Sequence, residues 1–591
     1  MKLKRTFISI VALMLAVCLM PTALAATWYL EDGDITVIAN ENGQSVKQGS
    51  NSAVADSDTV ITQRDSEKAT DNTITVSTTD DTTANITIED VNINSYGDAI
   101  DVGSSGANIT LEGDNKLNSE YGSGLHVSDG DVTITGSGSL EAGSKNDSNN
   151  NAAIGSHENE AMSGDITIGG DAQVTAVSRD DGAGIGSGDM GEMSGDITIG
   201  DNAQVTAWSE TGGAGIGSGR ESNMSGNITI GGSAQVTAGS NSETAGIGSG
   251  NNGVFTSTGR VVIRDSAKVT AIGENEGAGI GTGEDELMAG MIIIQDNAQV
   301  TAIAGDRAAA IGSDNLDEMT GTIIIIGNAR VTTGILDDDV YFDYNTKEIK
   351  YTLDENATGY IGDSKYSNHE SDEGHYIIGP DVTINGISGS DIEALKDYIN
   401  MRLSGENHDG EPENLTKLEI HSENGEFTVT ADGEGTVEKI LYDGSETVPT
   451  APGTYPVTCV VRFGDETLEF QIGTLIVPEP PAEAAQPAPV YHVTDKDGNA
   501  VSYTAAREGG VLTIRVDAAY ARLTLTADEA QALTAQSVEK VVFITTGATS
   551  AFRPADLTAY KDEAPFVLTH DGETVTFTAG ETDLASLLVH A

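Results

Sequence analysis

The sequence predicts an all-β protein whose main part is a right-handed, three-sided parallel β-helix, and three observations predict it. A unit recurs through the middle of the chain, marked by Ile154, Ile185, Ile216, Ile247, Ile280 and Ile311 at steps of 31, 31, 31, 33 and 31 residues. A second marker keeps the same step: Val174, Val205, Val236, Val269, Val300 and Val331. Each unit holds three short β-prone pieces of the type AGIG, GDITIG and AQVTA, with period-2 alternation between glycine, serine, asparagine and aspartate. None offers a helical pattern, and units this short bury an apolar face only by stacking on one another.

The first 25 residues read as an export signal: Lys2, Lys4 and Arg5, an apolar run from Phe7 to Met20, and the A-x-A site Ala23-Leu24-Ala25. Its removal takes three cationic residues and no acid, moving the formal charge from −62 to −65. Such a surface repels nucleic acid and anionic membranes, and holds an acidic polysaccharide only through divalent cations, calcium being the candidate. Nothing else resembles a membrane span, so the expected location is extracellular, secreted or at the bacterial cell surface. Only Cys459 remains beyond the signal, which excludes an intramolecular disulfide.

Residues 26–380 are assigned to the β-helix with its caps. Strand starts at Ile86, Ile109, Val132, Ile166, Ile197, Ile228, Val261, Ile292 and Ile323 give nine coils, about 40 Å at one strand spacing per coil. Alternation puts Ile185, Ile197, Ile199 and Val205 inside and Thr198 and Thr206 outside. Solenoid ends expose strand edges, so 26 to about 80 should include one cap and 334–380 the other. A helix is expected from Ser390 or Asp391 to Leu403. Residues 381–478 read as an Ig-like β-sandwich, 479–489 as a proline linker, and 490–591 as a small β-rich domain.

The glycines of GAGIGSG lack the strand–turn–helix of a nucleotide loop and serve turns and coil stacking. Asp171, Asn202, Ser233, Ser266, Asn297 and Asn328 form a turn ladder expected to tolerate left-handed backbone, and Asp165, Asp196 and Asn227 a column relieved by solvent. His126 and His157 show no cysteine or carboxylate spacing of a metal site, and no catalytic constellation emerges. The binding candidates are aromatic. Trp208 has the outward parity of Thr206 and is either a sugar platform or packed under a neighbouring loop; Tyr121, beside His126, and Trp28 are weaker.

The opening WYLEDGDITV, the coil NITLEGDNKLNS and the repeated AGIGSG and SGDITIGGDAQVTA resemble exported bacterial β-helix repeat proteins of the carbohydrate-binding-domain-containing type, over residues 28 to about 335. YDGSETVPTAPGTYPVTCVVRF resembles the small Ig-like modules of bacterial surface proteins. The resemblance implies a non-catalytic binder of polysaccharide or host glycan. Two alternatives stay open: an adhesive surface protein with a host or cell-wall protein partner, and a polysaccharide lyase or hydrolase.

Overall fold

The computed structural model describes residues 26–589 apart from 80–81, 285–286, 314–318, 338–339, 355–356, 358, 363–373, 396–397, 400–414, 424–425, 434, 464–465 and 479–490. The export signal and the linker therefore lie outside the described residues. The described chain is nearly all β and divides into two compact units, 1–478 and 479–591.

In the first unit the chain cycles through three long sheets of 14, 11 and 13 strands. Thr83–Glu89 lies in the first, Asn92–Ser95 in the second and Ile100–Gly103 in the third, before Gly106–Glu112 returns to the first. Successive coils pair in parallel without drift: Ile166 opposes Ile197, which opposes Ile228; Val205 opposes Val236; Ile185 opposes Ile216. This is a β-helix-like coil. Ile185, Ile197, Ile199 and Val205 are all buried in one continuous aliphatic core. Thr206 and Thr198 stay on the outer side, half-buried.

The glycine of each AGIG piece has a physical reason. Gly217 sits at φ +141°, and a Cβ there would lie 1.8 Å from the Gly248 carbonyl oxygen of the next coil. Only glycine lets the backbones approach so closely.

Several expectations need correction. The coiling begins at Thr27–Tyr29, which pairs with Thr59–Thr62, and the cap expected within 26–80 is the pair of antiparallel strands Gly43–Gln48 and Val54–Ala55. At the other end, Ile361–Gly362, His375–Ile378 and Thr383–Ile384 add a further coil, one strand to each sheet. The boundary drawn at Asp381 therefore cuts through the coil. Helix is present over Ile392–Leu395; 396–397 and 400–403 lie outside the described residues. The left-handed residue of each turn is the one before the expected ladder, as at Gly170, Asp201, Gly232, Asp265, Asp296 and Gly327. The carboxylate column stays open to solvent at Asp165 and half-buried at Asp196, and backbone adds to the relief: the Asp196 N–H donates to Asp165 at 2.8 Å, and the Asn227 N–H to Asp196 at 2.8 Å. Between the third and first sheets, Met162, Met193, Met224, Phe255, Met288 and Met319 form a bridged, fully buried column.

The 415–477 region builds on the solenoid. Leu415–Glu423 pairs in parallel with His375–Ile378, and Glu426–Gly433 adds an antiparallel edge. A three-stranded antiparallel sheet follows, of Thr436–Tyr442, Gly453–Phe463 and Glu466–Val477. Its Val457, Cys459 and Phe470 share a second core with Ile293, Ile324 and Ile377 of the first sheet's outer face. Those positions are Thr167, Thr198 and Thr229 in earlier coils. The outward column turns apolar where it is covered, which removes aliphatic surface from water.

The second unit has two five-stranded sheets and the helix Ala527–Ala535, opened by a Thr526–Glu529 capping box.

Candidate functional site: a polar groove and a histidine–carboxylate cluster

The outer face of the second sheet is a ladder of amides and hydroxyls. Gln173, Gln204 and Gln235 stand in one row, continued by Lys268 and Gln299, and Thr175, Thr206, Thr237, Thr270 and Thr301 stand in the next. Parallel pairing repeats each row once per coil, about 4.8 Å apart. These rows floor a groove of about 840 Å³ walled by Thr346, Lys347 and Glu348.

The wall is the tip of a hairpin, Tyr341–Asp343 with Glu348–Lys350. Phe342, Ile349 and Val340 hold it down on Val177, Trp208, Ile272 and Ile303, an apolar column on the outside of the sheet. Lys347 pairs with Glu141, the Tyr344 hydroxyl donates to Glu210, and the Arg179 guanidinium lies 4.3 Å over the Tyr344 ring. Both groove carboxylates, Glu141 and Glu348, are engaged by lysines.

A second constellation lies on the third sheet, with Asp101 and His126 on its strands, Asp98 in the turn before it, and His157 and Glu160 after its strand Ile154–Gly155. Asp98, Asp101, His126, His157 and Glu160 come from three successive coils. The His126 and His157 rings stack at 3.8 Å, nearly parallel. His126 Nδ1 is 2.9 Å from Asp101 Oδ1 and its Nε2 is 2.8 Å from Glu160 Oε2, while His157 Nε2 is 2.7 Å from Asp98 Oδ1. Asp98, His126 and His157 each offer a ligand atom, all within 4.8 Å of one another. Nitrogen donors of this kind suit a zinc-like cation better than calcium. The sequence shows no metal-site spacing around these histidines, yet the fold gives both of them carboxylate partners. The carboxylates come from neighbouring coils and not from nearby sequence.

Comparison with protein-family models, with curated proteins and with solved structures gives no match.

The structure separates the three aromatic candidates. Trp208 points away from the solenoid core as its parity requires, yet the hairpin leaves it only 1% exposed. Solvent exposure of this ring is therefore corrected: it packs under a neighbouring loop. Trp28 is half-buried against the core, its Nε1 donating to Asp56 at 2.7 Å. Tyr121 is 52% exposed and lies 4.8 Å, ring to ring, from Tyr96, which is 73% exposed. Tyr96 precedes Asp98 by two residues, and Tyr121 precedes Ser123, whose N–H donates to Asp98. The structure does not bring the three aromatics together.

Electrostatics make the cluster pH-sensitive. Burial alone would depress the His126 pKa. The bond to Asp101, the Asp98 charge and the bond to Glu160 outweigh it and raise the pKa from 6.5 to about 9. A raised histidine pKa stabilises the fold fully below the unfolded value and loses that contribution as pH rises through the folded value. In chelator-treated protein, stability should fall between pH 6.5 and 9 by at most about 3 kcal/mol, and His126→Gln should flatten that slope. Denaturant melts at pH 6 and 9.5 check it; an unchanged slope in the variant would show that His126 is not the group titrating.

Proposed function

We propose that this is an exported, non-catalytic carbohydrate-binding protein that holds a polysaccharide chain along the groove of the second sheet. The observation that carries the reading is the repetition of one amide and one hydroxyl per coil. A polymer with a repeat of similar length meets equivalent hydrogen-bonding partners at every step, and a sugar residue in a chain is about that long. The reading agrees with the resemblance to exported carbohydrate-binding repeat proteins and with the export signal. Both groove carboxylates are tied to lysines, which favours holding a glycan over cleaving one. The strong negative charge points to a neutral glycan, so chelator should leave binding unchanged.

The test is a pull-down of the mature chain on insoluble polysaccharides, with a Gln204→Ala/Gln235→Ala variant. Each lost hydrogen bond is worth about 0.5–1.5 kcal/mol, so binding to the retained glycan should weaken roughly tenfold with an unchanged melt. Retention on no glycan would contradict the reading. Loss on Tyr121→Ala but not on the glutamine changes would move the site to the exposed tyrosine pair.

A further inference from the structure

The five polar side chains around His126 have more to explain than a pair of ion pairs. Three carboxylates and two imidazoles are gathered where Asp98 and His126 are largely shielded from water, their side chains 17% and 9% exposed. Among the described residues, no lysine or arginine pairs with any of these carboxylates. Even with both imidazoles protonated, two positive charges face three carboxylates, and partly buried like charges are relieved by a cation.

The nitrogens divide into two edges. His126 Nδ1 and His157 Nε2 face the aspartates, at 2.9 Å from Asp101 and 2.7 Å from Asp98. On the opposite edge, His126 Nε2 and His157 Nδ1 both face Glu160 Oε2, at 2.8 and 3.6 Å. That is the arrangement of a metal site, in which ligating imidazoles turn their far nitrogens to a carboxylate that sets the tautomer and ring orientation. We propose that Asp98, His126 and His157 bind one zinc-like divalent cation, with Glu160 as the positioning residue behind the two rings.

Two nitrogens and one carboxylate oxygen would supply three of the four positions that such a cation takes, leaving the fourth to water. The rings are parallel as described, so His157, a third exposed, tilts to aim its lone pair at the ion. Because the ligands come from three coils, the ion would cross-link successive coils of the solenoid.

The experiment uses the untagged mature chain, stripped with chelator and titrated with zinc alone against a chromophoric competitor. One zinc per chain is expected, with a rise in melting temperature that calcium at equal concentration does not produce. Cobalt in place of zinc should give visible absorption of tetrahedral intensity. His157→Ala, at a partly exposed position, should weaken zinc at least tenfold while the zinc-free melt stays near wild type, and Asp98→Asn should weaken zinc as much with a lowered zinc-free melt. Glu160→Gln should weaken it less than either. No zinc binding, or binding as tight as wild type in His157→Ala and Asp98→Asn, would overturn the proposal and leave an imidazolium held between carboxylates. Should one variant fail to fold, the cobalt spectrum of the wild-type chain decides: a spectrum without nitrogen ligation contradicts the site.

Discussion

Ile216→Asp is expected to unfold several coils, whereas Thr206→Asp, ten residues earlier, melts close to wild type. Ile216 is fully buried and pairs with Ile185 below and Ile247 above. A carboxylate there has no partner, and burying it costs several kcal/mol. Coils in a stack rely on their nearest neighbours, so one bad layer weakens two interfaces at once. Thr206 faces the groove and is already half-hydrated, and a surface change of that kind stays within roughly ±0.5 kcal/mol. Thermal melts of the pair check this, and equal losses would show the inside–outside assignment to be wrong.

Trp208→Ala should be nearly as damaging, but for a different element. Its indole fills the space left by Gly239 in the next coil, where an added Cβ would stand 3.1 Å from the ring. It also carries the hairpin through Val340, Phe342 and Ile349. Removing a buried tryptophan costs about 3–5 kcal/mol, and here the loss should appear as detachment of the hairpin. Limited proteolysis near Asn345 should rise steeply while the solenoid core keeps its melt. Trp208→Phe should be milder, because the buried indole nitrogen has no acceptor among the described residues. Glycan binding should fall with Trp208→Ala through loss of the groove wall, so a variant with intact binding and a protease-sensitive hairpin would detach the wall from the site.

The coil, its core and its inward isoleucines were legible because period-2 alternation and a 31-residue step are local properties. The cover over Trp208 was not: it comes from a hairpin more than 130 residues downstream, where Tyr344 meets Glu210. The histidine cluster was hidden for a related reason. Asp98, His126 and His157 come from coils of unequal length, so the separations of His126 from Asp101 and Glu160, 25 and 34 residues, and of His157 from Asp98, 59 residues, follow no motif. Two signals were present and readable. The methionine column recurs at the coil step, from Met162 to Met193 to Met224. The outward threonines of the first sheet give way to Val262, Ile293 and Ile324, which announces a covering layer.

The most direct measurement of the groove as a binding site is affinity against oligosaccharide length, by calorimetry on the glycan that the pull-down selects. Six successive coils floor the groove, through Glu141, Thr175, Thr206, Thr237, Thr270 and Thr301. Affinity should rise with each added sugar up to about six residues, one per strand spacing, and then level off. An affinity that is the same for a disaccharide and a hexasaccharide would contradict recognition along the ladder.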